Sequence, residues 1–343
     1  MKHLLNTLYV TTQGAYLGRE GETVEVRHEE RTLIQVPVHT LASVVAFGRV
    51  GCSPHLMALC AENGVSLAFM TENGRFLARV QGRVSGNVLL RRAQYRIADD
   101  ESTSGRVART MVTAKIANGR RVLLRAMRET DESERASRLD QAASRLEALI
   151  RLVRATDRTD SLRGLEGEAG SLYFGVFDDL ILLNKDVFYM RARTRRPPMD
   201  PLNSLLSFVY TLLAHDSASA LEGVGLDPAV GFLHKDRPGR ASLALDLMEE
   251  LRPFFADRLV LTLVNRQQVQ AGSFRRAESG AYLMTDEARK QVIVAYQKRK
   301  QEELEHPFLK ERIPYGLLTH VQALLLARFV RGELDDYPAM LWR

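Results

Sequence analysis

Residues 53–80 read SPHLMALCAENGVSLAFMTENGRFLARV, and the order of elements written there decides how the first third of the chain folds. Ser53 can cap a helix, Pro54 suits a first helical position, and Leu56, Leu59 and Cys60 share one helical face before Asn63-Gly64 ends the run. Val65–Met70 is then a nearly continuous apolar strand, and Asn73-Gly74 a primed hairpin turn into the partner strand Arg75–Val80. Upstream, Thr23–His28 alternates apolar and polar, and Leu33–Val38 does so less cleanly. Gly14, Gly18 and Gly21 punctuate these runs at hairpin spacing, and Leu41–Phe47 reads as a further strand. The reading is a small β domain with one packed helix.

Beyond residue 97 the pattern changes. Residues 97–105, IADDESTSG, are acidic and then Ser/Thr/Gly-rich, without apolar periodicity. A linker is therefore expected at 98–105, between an N-terminal β domain at 1–97 and a C-terminal helical domain at 106–343. Glu132–Ala155 places Ala136, Leu139, Ala143, Leu146, Ile150 and Val153 at three- and four-residue intervals, the stripe of an amphipathic helix. Ser161–Leu183, Asn203–His215, Ala241–Leu251, Thr285–Leu304 and Tyr315–Gly332 read as further helices. The fold class is α+β and multidomain, a small β domain followed by a larger, all-α one.

Composition narrows the function. At 343 residues, 45% hydrophobic and 26% charged, the chain is ordinary globular material and too long for one compact core. Its formal charge of +6 comes from 48 basic residues against 42 acidic ones, and the cations divide into 40 Arg and 8 Lys. GC-rich coding can produce that skew, yet guanidinium also binds phosphate bidentately where an ammonium cannot. No apolar run approaches the ~18 residues that span a bilayer. The stretch Met1–Gly14 lacks an h-region and a cleavage site, and Cys52 and Cys60 form neither a disulfide framework nor a CxxC pair; a cytoplasmic protein is expected. GxxxxGK[ST], GxGxxG, HExxH and GxSxG are all missing from the sequence, against a kinase, ATPase, dehydrogenase, zincin or serine hydrolase.

Two groups of residues carry possible chemistry. The first is basic: Arg75 to Arg125 contains twelve Arg or Lys and only three acids, with Arg91-Arg92, Arg96, Arg106, Arg109, Lys115 and Arg120-Arg121 among them. Arg191, Arg193, Arg195 and Arg196 form a second cluster before Pro197-Pro198, and Arg237 follows His234 closely. Such tracts are often plain solvated faces; alternatively they neutralise phosphates. The second group is acid and imidazole. Glu166 lies in an otherwise apolar helix, with Glu168 expected in solvent. His234 ends Gly231-Phe-Leu-His, where a lone histidine is more often structural than a ligand. Asp246 and Glu249, at i and i+3, share one helical face. Two solvated acids are the commoner outcome, but if that face is buried a bound cation would explain the like charges. Glu250 is expected at the surface, and His215-Asp216 as a helix-end pair. Hard oxygen donors with one imidazole suit Mn²⁺ or Mg²⁺ rather than structural zinc, and such an ion beside arginine implies phosphoryl chemistry on a polyanion.

These stretches also resemble a family. Leu162-Arg-Gly-Leu-Glu-Gly with Tyr173-Phe174 is similar to the GxEG…Y helix of the CRISPR-associated integrases, the family of CRISPR-associated protein one. The run from Arg195 through Pro197-Pro198 to Tyr210 resembles its next motif, and Gly231-Phe-Leu-His with Ser242-Leu-Ala-Leu-Asp-Leu-Met-Glu its third. The likeness spans nearly the whole chain and is nearest to subtype I-C members. It implies a metal-dependent DNA endonuclease and integrase in which Glu166, His234 and Glu249 hold Mn²⁺ or Mg²⁺, with Asp246 as an auxiliary ligand. Some members carry Asp where this chain has Glu249. The resemblance further implies a homodimer formed by the β domain, double-stranded DNA on arginine surface, and a heterohexamer with the small dimeric CRISPR-associated protein two. The competing readings are a stand-alone nuclease of branched or single-stranded DNA and a non-catalytic DNA-binding scaffold.

Overall fold

The computed structural model describes residues 7–29, 31–41, 43–72, 76–80, 82 and 88–342. The Asn73-Gly74 turn lies outside the described residues; the strands on either side of it pair antiparallel as expected.

The N-terminal region holds two four-stranded sheets. Strands β1 (Thr7–Val10), β2 (Tyr16–Glu20), β3 (Thr23–His28), β4 (Arg31–Pro37), β5 (Ser43–Phe47) and β6 (Gly51–Cys52) precede helix α1 (Pro54–Glu62), which leads to β7 (Ser66–Met70) and β8 (Phe76–Val80). One sheet is ordered β4-β3-β2-β6; the other is β1-β5-β7-β8, with β1, β5 and β7 parallel. Helix α1 forms as read: the Ser53 hydroxyl accepts from the Leu56 amide at 3.2 Å, and Gly64 leaves the helix at φ +67°, a conformation open to glycine.

Strand β5 is unbroken in its apolarity because both its faces are covered. Val44 and Ala46 enter the core shared by the two sheets and α1, whereas Val45 and Phe47 join the main helical core, as alternation along a strand requires. Met70 of β7 joins them there. The sheets and the helices are thus welded through one strand face.

The helical part begins earlier than the sequence pattern indicated. Helix α2 spans Val88–Asp99 and α3 runs from Glu101 to Arg128, so the expected linker at 98–105 is helix on both sides of a corner at Asp100. Its acids and hydroxyls are capping and packing groups: the Asp100 carboxylate accepts from the Thr103 amide at 2.9 Å, and Ser104 and Gly105 are buried. Helix α4 (Ser133–Arg154) returns antiparallel along α3, and α5 (Thr159–Gly175) packs on both. The helix expected at Ser161–Leu183 stops at Gly175 and gives way to a 3₁₀ turn, Phe177–Leu180, whose Asp179 takes a two-pronged bond from Arg138 at 2.7 and 3.0 Å.

Helix α6 (Pro201–Gly223) is capped by Asp200 and outruns its expected end at His215 by two turns, because Ser217, Ala218, Ala220 and Leu221 pack it closely on its neighbours. His215 and Asp216 therefore sit mid-helix, not at a helix end. Asp216 accepts from the Tyr296 hydroxyl (2.8 Å) and Lys300 (2.9 Å), while His215 Nε2 lies 3.3 Å from the Ser43 hydroxyl. Helix α7 (Ser242–Glu249) follows, then a π-helical turn (Arg252–Asp257) leading into α8 (Arg258–Asn265). Two short hairpins flank α9 (Asp286–Gln301), and α10 (Leu318–Val330) closes the bundle. Among the described residues no helix is long and apolar enough to cross a membrane.

Gly105 tests this packing. A Cβ added there would lie 1.6 Å from the Asp157 carbonyl oxygen, a backbone atom with little room to yield. Gly105→Ala should lower the unfolding free energy by at least about 1–3 kcal/mol, read as a reduced denaturation midpoint. An unchanged midpoint would mean that α3 does not approach the 155–158 corner this closely.

Candidate active site

The site is assembled where the 224–241 loop meets α7, α5 and α3. Asp246, fully buried on α7, organises it. Its Oδ2 accepts from the amides of Phe232 (2.6 Å) and Leu233 (2.9 Å), and its Oδ1 from the His234 amide (3.0 Å) and ring Nδ1 (2.6 Å). An ionised carboxylate can only accept, so Nδ1 donates this bond, and Nε2 is the ring nitrogen left on the side of Glu249. Gly231 makes the close approach possible, since a Cβ there would sit 2.8 Å from Asp246 Oδ2. Three helices hold the same loop. Gln94 of α2 donates to the carbonyls of Asp227 and Val230 at 2.8 and 2.9 Å; the Ser104 hydroxyl of α3 donates to Phe232; Arg163 of α5 donates to Leu233 at 2.6 Å.

Glu249, one helical turn beyond Asp246, is also buried, at 1% exposure. Its Oε1 pairs with Arg252 at 2.7 Å and lies 4.0 Å from His234 Nε2; its Oε2 pairs with Lys115 at 2.6 Å. Burial by itself would push this carboxyl up, but the charges of Arg252, Lys115 and His234 outweigh it and hold Glu249 down to about 2. The Lys115 ammonium also pairs with Glu166 Oε1 from α5. Glu166 is a quarter exposed and forms the open side of the site. Behind Glu249, the Arg252 guanidinium stacks over the Tyr210 ring at 4.9 Å, and the Tyr210 hydroxyl donates to buried Asp257 at 2.5 Å.

The structure therefore brings Glu166, His234, Asp246 and Glu249 into one locality but in unequal roles. Asp246, expected as an auxiliary ligand, turns its two oxygens to four donors of the 232–234 segment and orients His234. Among the described residues no three carboxylate, imidazole or thiol groups converge to ligating distance as the side chains stand. Lys115 separates the two glutamates instead.

Glu250, expected at the surface, is fully buried. It accepts from Gln322 at 3.1 Å and from the Tyr337 hydroxyl and Met340 amide, and burial pushes its carboxyl up to about 7 despite these donors. The arginines divide as well. Arg191, Arg195, Arg196 and Arg237 are exposed, whereas Arg193 donates to Asn203 (2.6 Å) and Ser207 (3.2 Å) and is largely inward. Arg195 and Arg237 lie within electrostatic range of Arg240, which in turn feels Asp246 and Glu249. Arg91 and Arg92 sit on α2, Arg91 within range of Tyr95 and Glu222. Sequence reading missed Lys115 and Arg252 as site residues, and Gln94 and Arg163 as supports. A signal for Lys115 was present: it interrupts the buried stripe of Met111, Val112, Asn118, Gly119 and Val122 with a cation.

An α+β chain that holds an oriented, partly buried imidazole beside acids, with arginine around the mouth, has the build of an enzyme acting on phosphodiesters. The profile described as CRISPR associated protein Cas1 matches residues 8–298, and the chain belongs to that family. A relative named CRISPR-associated endonuclease Cas1 1, from Chlorobaculum tepidum, is 52% identical over 343 residues, covering all of both chains. Among solved structures, a Cas6-RT-Cas1–Cas2 complex matches with TM-score 0.82 at 24% identity, over 98% of this chain and 36% of that longer one. A casposase bound to integration product matches with TM-score 0.82 at 18% identity, over 98% of this chain and 94% of the other. Both share the fold of two β-sheets followed by a helical domain.

The role of Asp246 can be measured without activity. Asp246→Asn replaces one accepting oxygen with an NH2 that faces donors and cannot accept from them, and should cost about 2–4 kcal/mol in chemical denaturation, the range for unpaired buried donors and broken buried charge pairs. A variant as stable as the parent would remove Asp246 as the organiser of the loop.

Proposed function

We propose that the chain is a metal-dependent DNA endonuclease and integrase that inserts short DNA fragments into a CRISPR array. Its full-length likeness to named Cas1 endonucleases supports the activity class. The observation that carries the site assignment is the Lys115 ammonium lodged against the carboxylates of Glu166 and Glu249, beside an imidazole whose free nitrogen faces Glu249. A small cation between two acids and one imidazole is what a hard divalent ion would replace, and the donor set fits Mn²⁺ or Mg²⁺.

In this reading Glu166, His234 and Glu249 hold the ion. When bound, it supplies Lewis acidity at a phosphoryl oxygen and lowers the pKa of the attacking hydroxyl. Asp246 keeps the proton on His234 Nδ1 and fixes the ring, in the manner of carboxylate–histidine pairs behind metals. Arg252 stays buried and balances Glu249. Arg195, Arg237 and Arg240 offset phosphate charge at the mouth, with Arg191, Arg196, Arg91 and Arg92 as further backbone contacts. A DNA 3′-hydroxyl attacks a target phosphodiester; one P–O bond forms, one breaks, and the cut strand leaves with a free 3′-hydroxyl. Phosphodiesters are conserved in number, so positioning supplies much of the acceleration. With water as attacker the same site cuts.

The domain division, β region for pairing two copies and helical part for catalysis, belongs to this reading. So do a heterohexamer with the Cas2 partner that appears in the complex of like fold, a cytoplasmic setting and the subtype I-C assignment.

A plasmid assay tests the proposal. Wild type with a 3′-hydroxyl donor duplex, supercoiled target, Mn²⁺ and the small partner subunit should yield joined product. His234→Ala should still bind DNA but lose joining by about 10²-fold or more, the scale of removing one electrostatic catalytic group. Excess EDTA should abolish joining by wild type. Normal joining by His234→Ala, or joining in EDTA, would overturn the metal-site assignment; wild type that only cuts would favour the stand-alone nuclease.

A further inference from the structure

Lys115 is one of only eight lysines in the chain, and it rises from the buried stripe of α3. Its side chain is 15% exposed and its ammonium touches both Glu166 and Glu249. The other cation on Glu249, Arg252, is held from a second side: it is paired one turn along its own chain and stacked on Tyr210. The charges of Glu166 and Glu249 are balanced by those of Lys115 and Arg252. A divalent ion held by the two glutamates would place two further positive charges against these groups. Only the ammonium, a point charge on a flexible four-carbon stem, is free to move away.

We propose that Lys115 is a displaceable counter-ion: it competes with the divalent ion for Glu166 and Glu249, and once displaced takes a DNA phosphate at the mouth of the site. Loading the metal and gripping DNA are then coupled, because the first event releases the cation used in the second. Lys115 is a positioning residue in this scheme. Its removal leaves the three ligands in place, and the inference rests on their assignment as ligands.

Mn²⁺ titrated calorimetrically into DNA-free protein should bind Lys115→Met at least ten-fold more tightly than wild type. Equal or weaker binding by the variant would overturn the proposal alone; saturable binding by neither protein would overturn the metal-site assignment and this inference with it. Wild type provides a second measurement that does not depend on the variant's folding. An amine-acylating reagent, followed by peptide mass spectrometry, should label Lys115 several-fold faster in saturating Mn²⁺ than in EDTA. An unchanged labelling rate would count against displacement. For the DNA half, the slope of log affinity against log salt in saturating Mn²⁺ should be shallower by about 1 in Lys115→Met, the loss of one phosphate contact; an unchanged slope would remove that contact.

Discussion

Four hydrogen-bond donors on one buried carboxylate set the geometry from which the rest of the site follows. Asp246 gathers three consecutive amides, Phe232 to His234, and the His234 ring, so an irregular loop is pinned to a regular helix at a single residue. The charge on Asp246 makes each of these bonds stronger than a neutral pair would be, and the low dielectric around it makes their loss costly. The fixed ring leaves Nε2 directed toward Glu249, which stands one turn further along the same helix and is therefore set by the same element. The i, i+3 spacing of the two acids thus has a division of labour within it: one turns backward to the loop, the other forward to the open site.

Helix α3 supplies the complementary constraint. Ser104 holds the His234 loop near its start, Lys115 meets the two glutamates in its middle, and Asn118 donates to the carbonyls of Glu250 and Met340 at 2.7 and 2.8 Å. Glu250 itself binds Tyr337 and Met340, and Trp342 stacks on Phe254 at 5.8 Å. The residue beside Glu249 in the chain therefore anchors the last segment of the protein against α3. The C-terminal residues brace the turn that presents Glu249, and the π-helical turn after it carries Arg252 back to the same carboxylate.

Much of this was legible in the sequence, and what was hidden has physical reasons. Helix α1 could be read residue by residue because cap, proline, apolar face and glycine exit all act locally. The segments around Glu166, Tyr210 and His234 to Glu249 were joined into one site by their resemblance to a family's ordered motifs, since each acid or histidine taken alone reads as an ordinary solvated or structural residue. The corner at Asp100 was not legible, since a capping acid and a glycine chosen for close approach have the composition of a loop. Asp246 and Glu250 look like any pair of helical acids until tertiary partners are known, and those partners lie 12 to 90 residues away. The extension of α6 beyond His215 was likewise set by what packs on it. Local signals carried the elements; the burial of charge depended on contacts that no window along the chain contains.

The skew toward arginine acquires a physical meaning at the site, whatever its origin in coding. Where a charge must be fixed, guanidinium is used: Arg163 on the Leu233 carbonyl, Arg252 on Glu249, Arg138 in a two-pronged bond to Asp179. A planar fork loses little freedom when it makes such bonds, and it holds direction as well as charge. Among the described residues the cation that bridges Glu166 and Glu249 is a lysine, whose ammonium has no preferred plane and whose stem can swing. An arginine at 115 would lock the two glutamates to the protein's own charge and oppose any ion that must enter between them. The rare lysine is thus placed where the site needs a charge that can be given up, among arginines placed where it needs charges that stay.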